Sequence, residues 1–339
     1  MKKVLFATTA LVASAGIASA QGVELSGSAE MGIIGGDMVG NDVEFHTDID
    51  VTFTMSGETD NGLTFGASID LDEADDSAAG GSLAFGNRTQ GGETIFISGS
   101  FGTLTMGDTD GALDWAMTEV AIGGAIADDH TTHFGYNGNS VMDGFTSNGN
   151  ARDGQIARYD YSFGDFAFAV SAELEDTPVA GEGATLGVGA TYSGDLGGVT
   201  LGVGLGYQQA DNGANTSSAV GMSLSAAMDN GFQAIVNYTS FSNVAVGRAG
   251  GIAVDNHMAI GIGYSMDALT FGLNYGVYAA STAGEADASG FGLTANYDLG
   301  GGASVQFGYG SGSRANTATA ALGDTVSQET WSLGVAMSF

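Results

Sequence analysis

Several polar patterns in the 339-residue chain invite a chemical reading. Close carboxylates can hold a hard divalent cation such as Ca²⁺, which takes several oxygen ligands, and Asp108 with Asp110 is one such candidate. Asp70-Asp72-Glu73-Asp75-Asp76 is a second, and neither fits a complete EF-hand loop. Asp128-Asp129-His130-Thr131-Thr132-His133 carries two imidazoles three residues apart, the outline of a loose metal-ligand cluster, although in a polar loop such a group is more simply solvated. Gly202-Val203-Gly204-Leu205-Gly206 has the glycines of a dinucleotide loop but no following helix and no basic phosphate partner, so it reads as small residues on one face of a strand. Nucleophilic catalysis needs His and a nucleophile placed together with an orienting group. His46 and His257, the strand histidines, have no nucleophile motif nearby, and the chain contains no Cys. An enzyme is not expected, and no cofactor is required beyond a candidate Ca²⁺ at Asp108 and Asp110.

The charge balance carries more information. Lys and Arg number 7 against 39 Asp and Glu, a net charge of -32, while only 14% of residues are charged and 43% are hydrophobic. Nucleic acid is excluded as a partner, because neutralising phosphates needs basic clusters. An acidic disordered chain is excluded as well, since that class combines high charge with low hydrophobicity and here mean hydropathy is +0.12. One Pro and 58 Gly suit long uninterrupted strands joined by glycine turns.

Met1-Lys2-Lys3, the apolar stretch Val4 to Ala15 and the small residues Ala18-Ser19-Ala20 read together as a secretory signal peptide over 1–20, cleaved near Ala20. Its removal takes both lysines and no acid, leaving 5 Arg against 39 acids in 21–339. No later apolar run reaches the roughly 18 residues a membrane helix needs, which leaves a soluble exported protein or an outer-membrane barrel.

From Val23 onward apolar residues recur at every second position, the period of a strand with two chemically different faces. Phe45, Thr47, Ile49, Val51, Phe53 and Met55 oppose His46, Asp48, Asp50, Thr52 and Thr54. Sixteen such segments begin near Val23, Glu44, Leu63, Glu93, Thr103, Ile156, Phe166, Thr185, Val199, Ser218, Phe232, His257, Leu269, Ala288, Ser304 and Ser327. The even number suits a closed bacterial barrel, and short turns alternate with longer polar loops. A soluble sandwich would bury the apolar face as core, but has no reason to sort its connections by length. The expected fold is therefore all-β, a 16-stranded antiparallel transmembrane barrel, wide enough for an aqueous channel. Phe101, Phe163, Phe166, Phe232 and Phe339 beside the short turns suit an interfacial girdle. After strand five, residues 109–155 lack sustained alternation, too long for an ordinary connection and hence a functional loop. The stretch Leu113 to Val120 suits a short helix. Asp110, Asp114, Glu119, Asp128, Asp129, Asp143 and Asp153 make the loop acidic enough to narrow a channel if it folds inward, an external solvated flap being the other reading.

Gln21-Gly22-Val23-Glu24-Leu25-Ser26-Gly27, the run from Phe53 to Ala67, Phe101-Gly102-Thr103-Leu104-Thr105-Met106-Gly107-Asp108, Tyr297 to Ala303 and the terminal Phe339 resemble general-diffusion porins of Gram-negative outer membranes, the alphaproteobacterial branch in particular. The resemblance spans residues 21–339. It implies a homotrimer of barrels, set in outer-membrane lipid and lipopolysaccharide, that passes ions and small hydrophilic solutes passively. It further implies that 109–155 is the constriction loop and that Phe339 is the signal read by the barrel-assembly machinery.

The chain departs from that family in its charges. Such porins set inward arginines, several from strand two, against the acidic loop, and the matching inward positions here are Asp48 and Asp50. Arg158 is the inward basic candidate, while Arg88, Arg152, Arg248 and Arg314 fall in loops. The expected constriction is Asp48, Asp50, Asp108, Asp110, Asp114, Glu119, Asp128, Asp129 and Arg158, a lining that concentrates counter-cations. A substrate-specific channel would differ by saturable block with one solute, and an adhesive or structural barrel by the absence of conductance.

Overall fold

Alternating apolar and polar residues give each strand one face for lipid and one for water, and a closed sheet satisfies every backbone group between strands. The computed structural model of the chain describes residues 22–40, 42–72, 93–136, 155–174, 183–211, 215–318 and 322–339. In chain order the strands are β1 (Gly22–Gly36), β2 (Val43–Glu58), β3 (Thr64–Asp72), β4 (Thr94–Gly99), β5 (Gly102–Gly107), β6 (Gln155–Phe163), β7 (Phe166–Leu174) and β8 (Thr185–Asp195). They continue with β9 (Val199–Asp211), β10 (Thr216–Met228), β11 (Phe232–Val246), β12 (Ile252–Met266), β13 (Leu269–Ala280), β14 (Ala288–Gly300), β15 (Ala303–Ala315) and β16 (Thr325–Ser338). Each pairs antiparallel with its sequence neighbours and β1 pairs with β16, closing the 16-stranded barrel anticipated from the alternation. Most strands start within two residues of their expected positions. β12 begins earlier, at Ile252, so His257 lies inside that strand and not at its start.

The seam brings the chain ends together, with Ser28 opposite Ser338. The Phe339 amide donates to the Gly27 carbonyl at 2.9 Å, and the Gly27 amide returns a longer bond to Phe339 at 3.4 Å. Leu25, Ile49, Val188, Leu205, Ile260 and Leu333 are exposed on the outer face, as a lipid belt requires. At the short-turn rim, Phe163 stacks on Phe166 with ring centroids 5.8 Å apart, and Phe166 meets Tyr192 at 5.0 Å, forming part of the anticipated girdle. The sorting of connections by length is less strict than the sequence suggests. The β9–β10 and β11–β12 connections are no longer than the short β2–β3 turn.

The longest connection, 108–154, follows β5. Its described part, 108–136, lies inside the barrel, where a short helix α1 (Ala112–Ala116) packs on β7, β8 and β9. The irregular turn Ile126–Thr131 packs on β14, β15, β16 and β1. An external flap is thereby ruled out for this part of the loop. Inward-facing glycines make the seat. A Cβ at Gly204 would overlap the Ala116 carbonyl oxygen, one at Gly272 that of Ile122, and one at Gly292 that of His130. These alternating glycines let the loop backbone lie directly on the wall.

Candidate functional site

The loop is fastened to the wall by polar groups at its start, along its course and on its return. At the start, Arg158 of β6 donates from Nη1 to the Asp110 carbonyl at 2.7 Å and to Thr109 Oγ1 at 3.2 Å. Its Nε lies 3.6 Å from Asp160 Oδ1, and Nη1 lies 4.0 Å from the Asp110 carboxylate. The Ala112 amide donates to Ser171 Oγ at 2.8 Å. One turn of helix is too short to stand alone, and burial of Ala112, Leu113 and Ala116 against the wall stabilises it.

Along its course the backbone meets one wall side chain after another. The Thr118 amide donates to Ser223 at 3.0 Å, and its carbonyl accepts from Asn237 at 3.3 Å. Thr294 donates to the Ile122 carbonyl at 2.8 Å, and Asn296 both accepts from the Gly124 amide and donates to its carbonyl. At the far side the Ala127 amide donates to Glu30 Oε2 at 3.0 Å, and the same oxygen lies 3.2 Å from His46 Nε2. These side chains satisfy loop backbone groups that have no sheet partner.

On the return, Asn274 donates to the His130 carbonyl at 3.0 Å and faces His133 Nε2 at 2.6 Å. The Gly135 amide donates to His133 Nδ1 at 3.2 Å, so the imidazole is neutral with its proton on Nε2. His257 donates from Nε2 to the Gly135 carbonyl at 2.9 Å. Arg248 reaches in to donate to the Thr131 carbonyl at 2.8 Å, with its guanidinium 5.8 Å from the Tyr136 ring centre. The Tyr136 hydroxyl donates to Glu119 at 2.6 Å, joining the outgoing and returning limbs. Burial pushes the His130 and His133 imidazoles down to about 4, and raises the Glu119 carboxyl and the Tyr136 phenol. Burial also raises Asp129 to about 6, with the Ser332 hydroxyl opposing the shift only in part.

What the loop leaves open is lined by acids. His46, Asp48 and Asp50 alternate on the inner face of β2, the face that Glu30 shares with the loop. Ser28 donates to Asp50 at 2.8 Å, and Thr52 donates to Asp70 at 2.9 Å. From the loop side, Ala127 and Asp128 adopt left-handed backbone with φ 55° and 49°, turning the exposed Asp128 away from the wall. Thr131 and Thr132 hold that turn by donating to the Asp128 carbonyl at 3.0 and 2.8 Å. Two left-handed non-glycine residues cost of order 1–2 kcal/mol each, a strain typical of functional sites.

The sequence profile of the Gram-negative porins matches residues 7–339. The chain belongs to the Gram-negative porin family. A porin of Rhodobacter capsulatus is 31% identical over 301 residues, covering 84% of this chain and 92% of its own length. A porin structure refined at 1.8 Å shares 24% identity with a TM-score of 0.66, covering 94% of this chain and all 100% of its own. A triple mutant of Rhodopseudomonas blastica porin has a TM-score of 0.60 at 18% identity over the same shares of the two chains. Members of this family are diffusion channels and not enzymes, and family and fold together imply an outer-membrane location.

In this porin the anticipated constriction residues separate into groups. Asp48, Asp50 and Asp128 face the open lumen, while Asp110 stands beside Arg158. Asp108 is exposed at the end of β5. Asp114 is buried on α1 and Asp129 is fully buried against the wall, so neither lines the channel. Glu119 is engaged by Tyr136. Arg158 does point inward, but as the anchor of the loop's start. Arg248 and Arg314 read from the sequence as loop residues. Arg314 lies on β15, and Arg248, in the β11–β12 turn, reaches inward to the loop. The imidazoles of His130 and His133 are buried and hydrogen-bonded to the wall or free of solvent contact, not solvated. Among the described residues no group of three His, Asp or Glu gathers that could hold a metal, so the Asp108 and Asp110 pair gains no third ligand there. Glu73, Asp75, Asp76, Arg88, Asp143, Arg152 and Asp153 lie outside the described residues, as does the 1–20 segment. Glu30 was missed, although its place opposite Asp48 follows once β1 and β2 are put in register.

Proposed function

We propose that this porin is a cation-selective diffusion channel whose constriction is the loop 109–155 set against the acidic inner face of β1 to β3. The observation that carries this is the use of its arginines. Among the described residues Arg158, Arg248 and Arg314 all donate to backbone carbonyls of the loop or of the turn beside it, whereas Glu30, Asp48, Asp50, Asp70 and Asp128 face the lumen. The three guanidinium groups keep their charge but are held against the loop and its neighbouring turn, and the five lumen carboxylates outnumber them, giving the passage a negative potential that accumulates cations and repels anions. A general filter for small hydrophilic solutes fits better than a specific one, since among the described residues the lumen-facing charges repeat one sign, with His46, Ser28 and Thr52 bonded to the acids beside them. The working form is a homotrimer in outer-membrane lipid and lipopolysaccharide, reached after removal of 1–20 and delivery by the barrel-assembly machinery, with Phe339 as its signal.

The test is the reversal potential of the purified porin in a planar bilayer across a potassium chloride gradient. Potassium preference is expected, and it weakens as salt screens the wall. Chloride preference rejects the proposal.

A further inference from the structure

Arg248 and Arg314 stand in a relation that the channel reading does not use. Arg248 sits in the 247–251 turn joining β11 to β12, a turn closed by the Gly251 amide donating to the Val246 carbonyl at 2.9 Å. Val246 and Ala249 on either side of Arg248 are buried, in one apolar cluster with Phe134, Phe241 and Tyr278. Arg314, at the end of β15, donates from Nη1 to the Gly247 carbonyl at 3.0 Å and the Arg248 carbonyl at 3.2 Å. Its guanidinium carbon also lies 4.3 Å from the centre of the Phe134 ring. Arg248 in turn donates to the Thr131 carbonyl, with a longer contact at 3.4 Å to that of His133. One arginine therefore fixes the turn and covers Phe134, and the other reaches from that turn to the segment directly after Asp128.

We infer that Arg248 and Arg314 form a positioning clamp that sets the conducting cross-section from outside it. The physical reason lies in the loop's own weakness. Its return limb is neither strand nor sustained helix, so its place depends on side chains that accept or donate to its backbone. The Thr131 carbonyl is held by a charged donor, a stronger bond than those the neutral wall side chains make. Tyr136, beneath the same guanidinium, passes the restraint to Glu119 on the outgoing limb. The guanidinium bonds the Thr131 carbonyl from Nη1 while its plane lies over the Tyr136 ring, whereas an ammonium can keep the charge and that bond but not the planar contact with the ring. This inference rests on the loop being the constriction and is independent of the sign of its selectivity.

Three variants of the full porin test it, Arg248→Gln, Arg248→Lys and Arg314→Gln, each compared with the unmodified protein. Single-channel recording in planar bilayers is combined with swelling of porin-containing liposomes in neutral sugars of graded size. Losing a charged hydrogen bond shifts a docked-to-undocked ratio by roughly tenfold. Arg248→Gln should therefore populate a second, larger conductance level about that much more often and admit a larger sugar. Arg248→Lys should recover part of the single level. Arg314→Gln, which leaves the Thr131 bond in place, should give a smaller change of the same kind, and keeps the test open if Arg248→Gln fails to fold. An unchanged size limit with a reversal potential moved toward cations overturns the clamp and makes Arg248 a pore charge. Earlier melting with unchanged conductance of the folded fraction overturns it too, leaving a role in stability alone. Failure of the cation-selective reading would instead appear in the reversal potential of the unmodified porin, whatever the variants do.

Discussion

His133 Nε2 lies 2.6 Å from Oδ1 of Asn274, and the second imidazole nitrogen accepts the Gly135 amide, so the docked loop requires a neutral ring. Its value and that of His130 are pushed down from 6.5 to about 4. A depressed histidine stabilises the docked form fully above about 6.5, and that stability is lost as pH falls toward 4. Asp129, raised from 3.8 to about 6, works the other way. Its contribution is fully present below 3.8 and is lost as pH rises through 6. Glu119, also raised, acts in the same sense as Asp129. Arg248 faces the same segment and keeps its charge throughout. Acidification from pH 7 to 4 should thus raise current noise and loop fluctuation, and Asp129→Asn, which removes an opposing contribution, should make that rise steeper. Current-noise spectra of the two proteins over this range check it. A shallower rise in the variant would reject the assignment.

Gly204 on β9 leaves no room for a methyl group beneath the Ala116 carbonyl. The wall is a hydrogen-bonded sheet on both sides, so the loop must move and the strand must not. Gly204→Ala should displace α1 toward the channel axis and lower single-channel conductance, with little change in the heat resistance of the barrel. Gly124→Ala is the control, since its added carbon would meet only the flexible end of Gln306, at 3.4 Å. Equal conductance for both variants would count against a loop seated on the glycine row.

The strands were legible because alternation reports facing directly, and a one-residue slip would turn every apolar group the wrong way. That is why Asp48 and Asp50 were placed inward from the pattern alone. Depth and partnership were not legible. Asp128 and Asp129 are adjacent and chemically alike, yet left-handed backbone at Ala127 and Asp128 sends one to the lumen and buries the other. Arg248 reads as a loop residue because it is one, and only the packed turn reveals that its side chain points back into the barrel. Gly202, Gly204 and Gly206 carried a usable signal: three successive glycines on the inner face of one strand leave space for another backbone to lie on it.

That divergence between neighbours can be measured. Asparagine tolerates left-handed backbone, so Asp128→Asn should fold with unchanged stability while removing one lumen charge. The reversal potential in a salt gradient should move toward zero. Asp129→Asn removes a charge that is fully buried, and should leave the reversal potential nearly unchanged at pH 7. Its effect should appear in loop docking, stabilised by on the order of 2 kcal/mol because a disfavoured buried charge is gone. If both variants shift selectivity equally, the two carboxylates share one environment and the assignment of Asp128 to the lumen fails.

Phe339 closes the seam with its backbone, while the residue as a whole is 79% exposed. The two functions are separable by that geometry. Phe339→Ala keeps the hydrogen bonds with Gly27 and removes a side chain that packs on little, so the barrel refolded in detergent should melt within about 0.5 kcal/mol of the unmodified one. A role as assembly signal requires something else of the ring, recognition before the seam exists. The amount of porin recovered from outer membranes should then fall steeply for Phe339→Ala and recover with Phe339→Tyr, which keeps an aromatic ring. Equal recovery of all three proteins would show that the terminal residue acts only through its main chain.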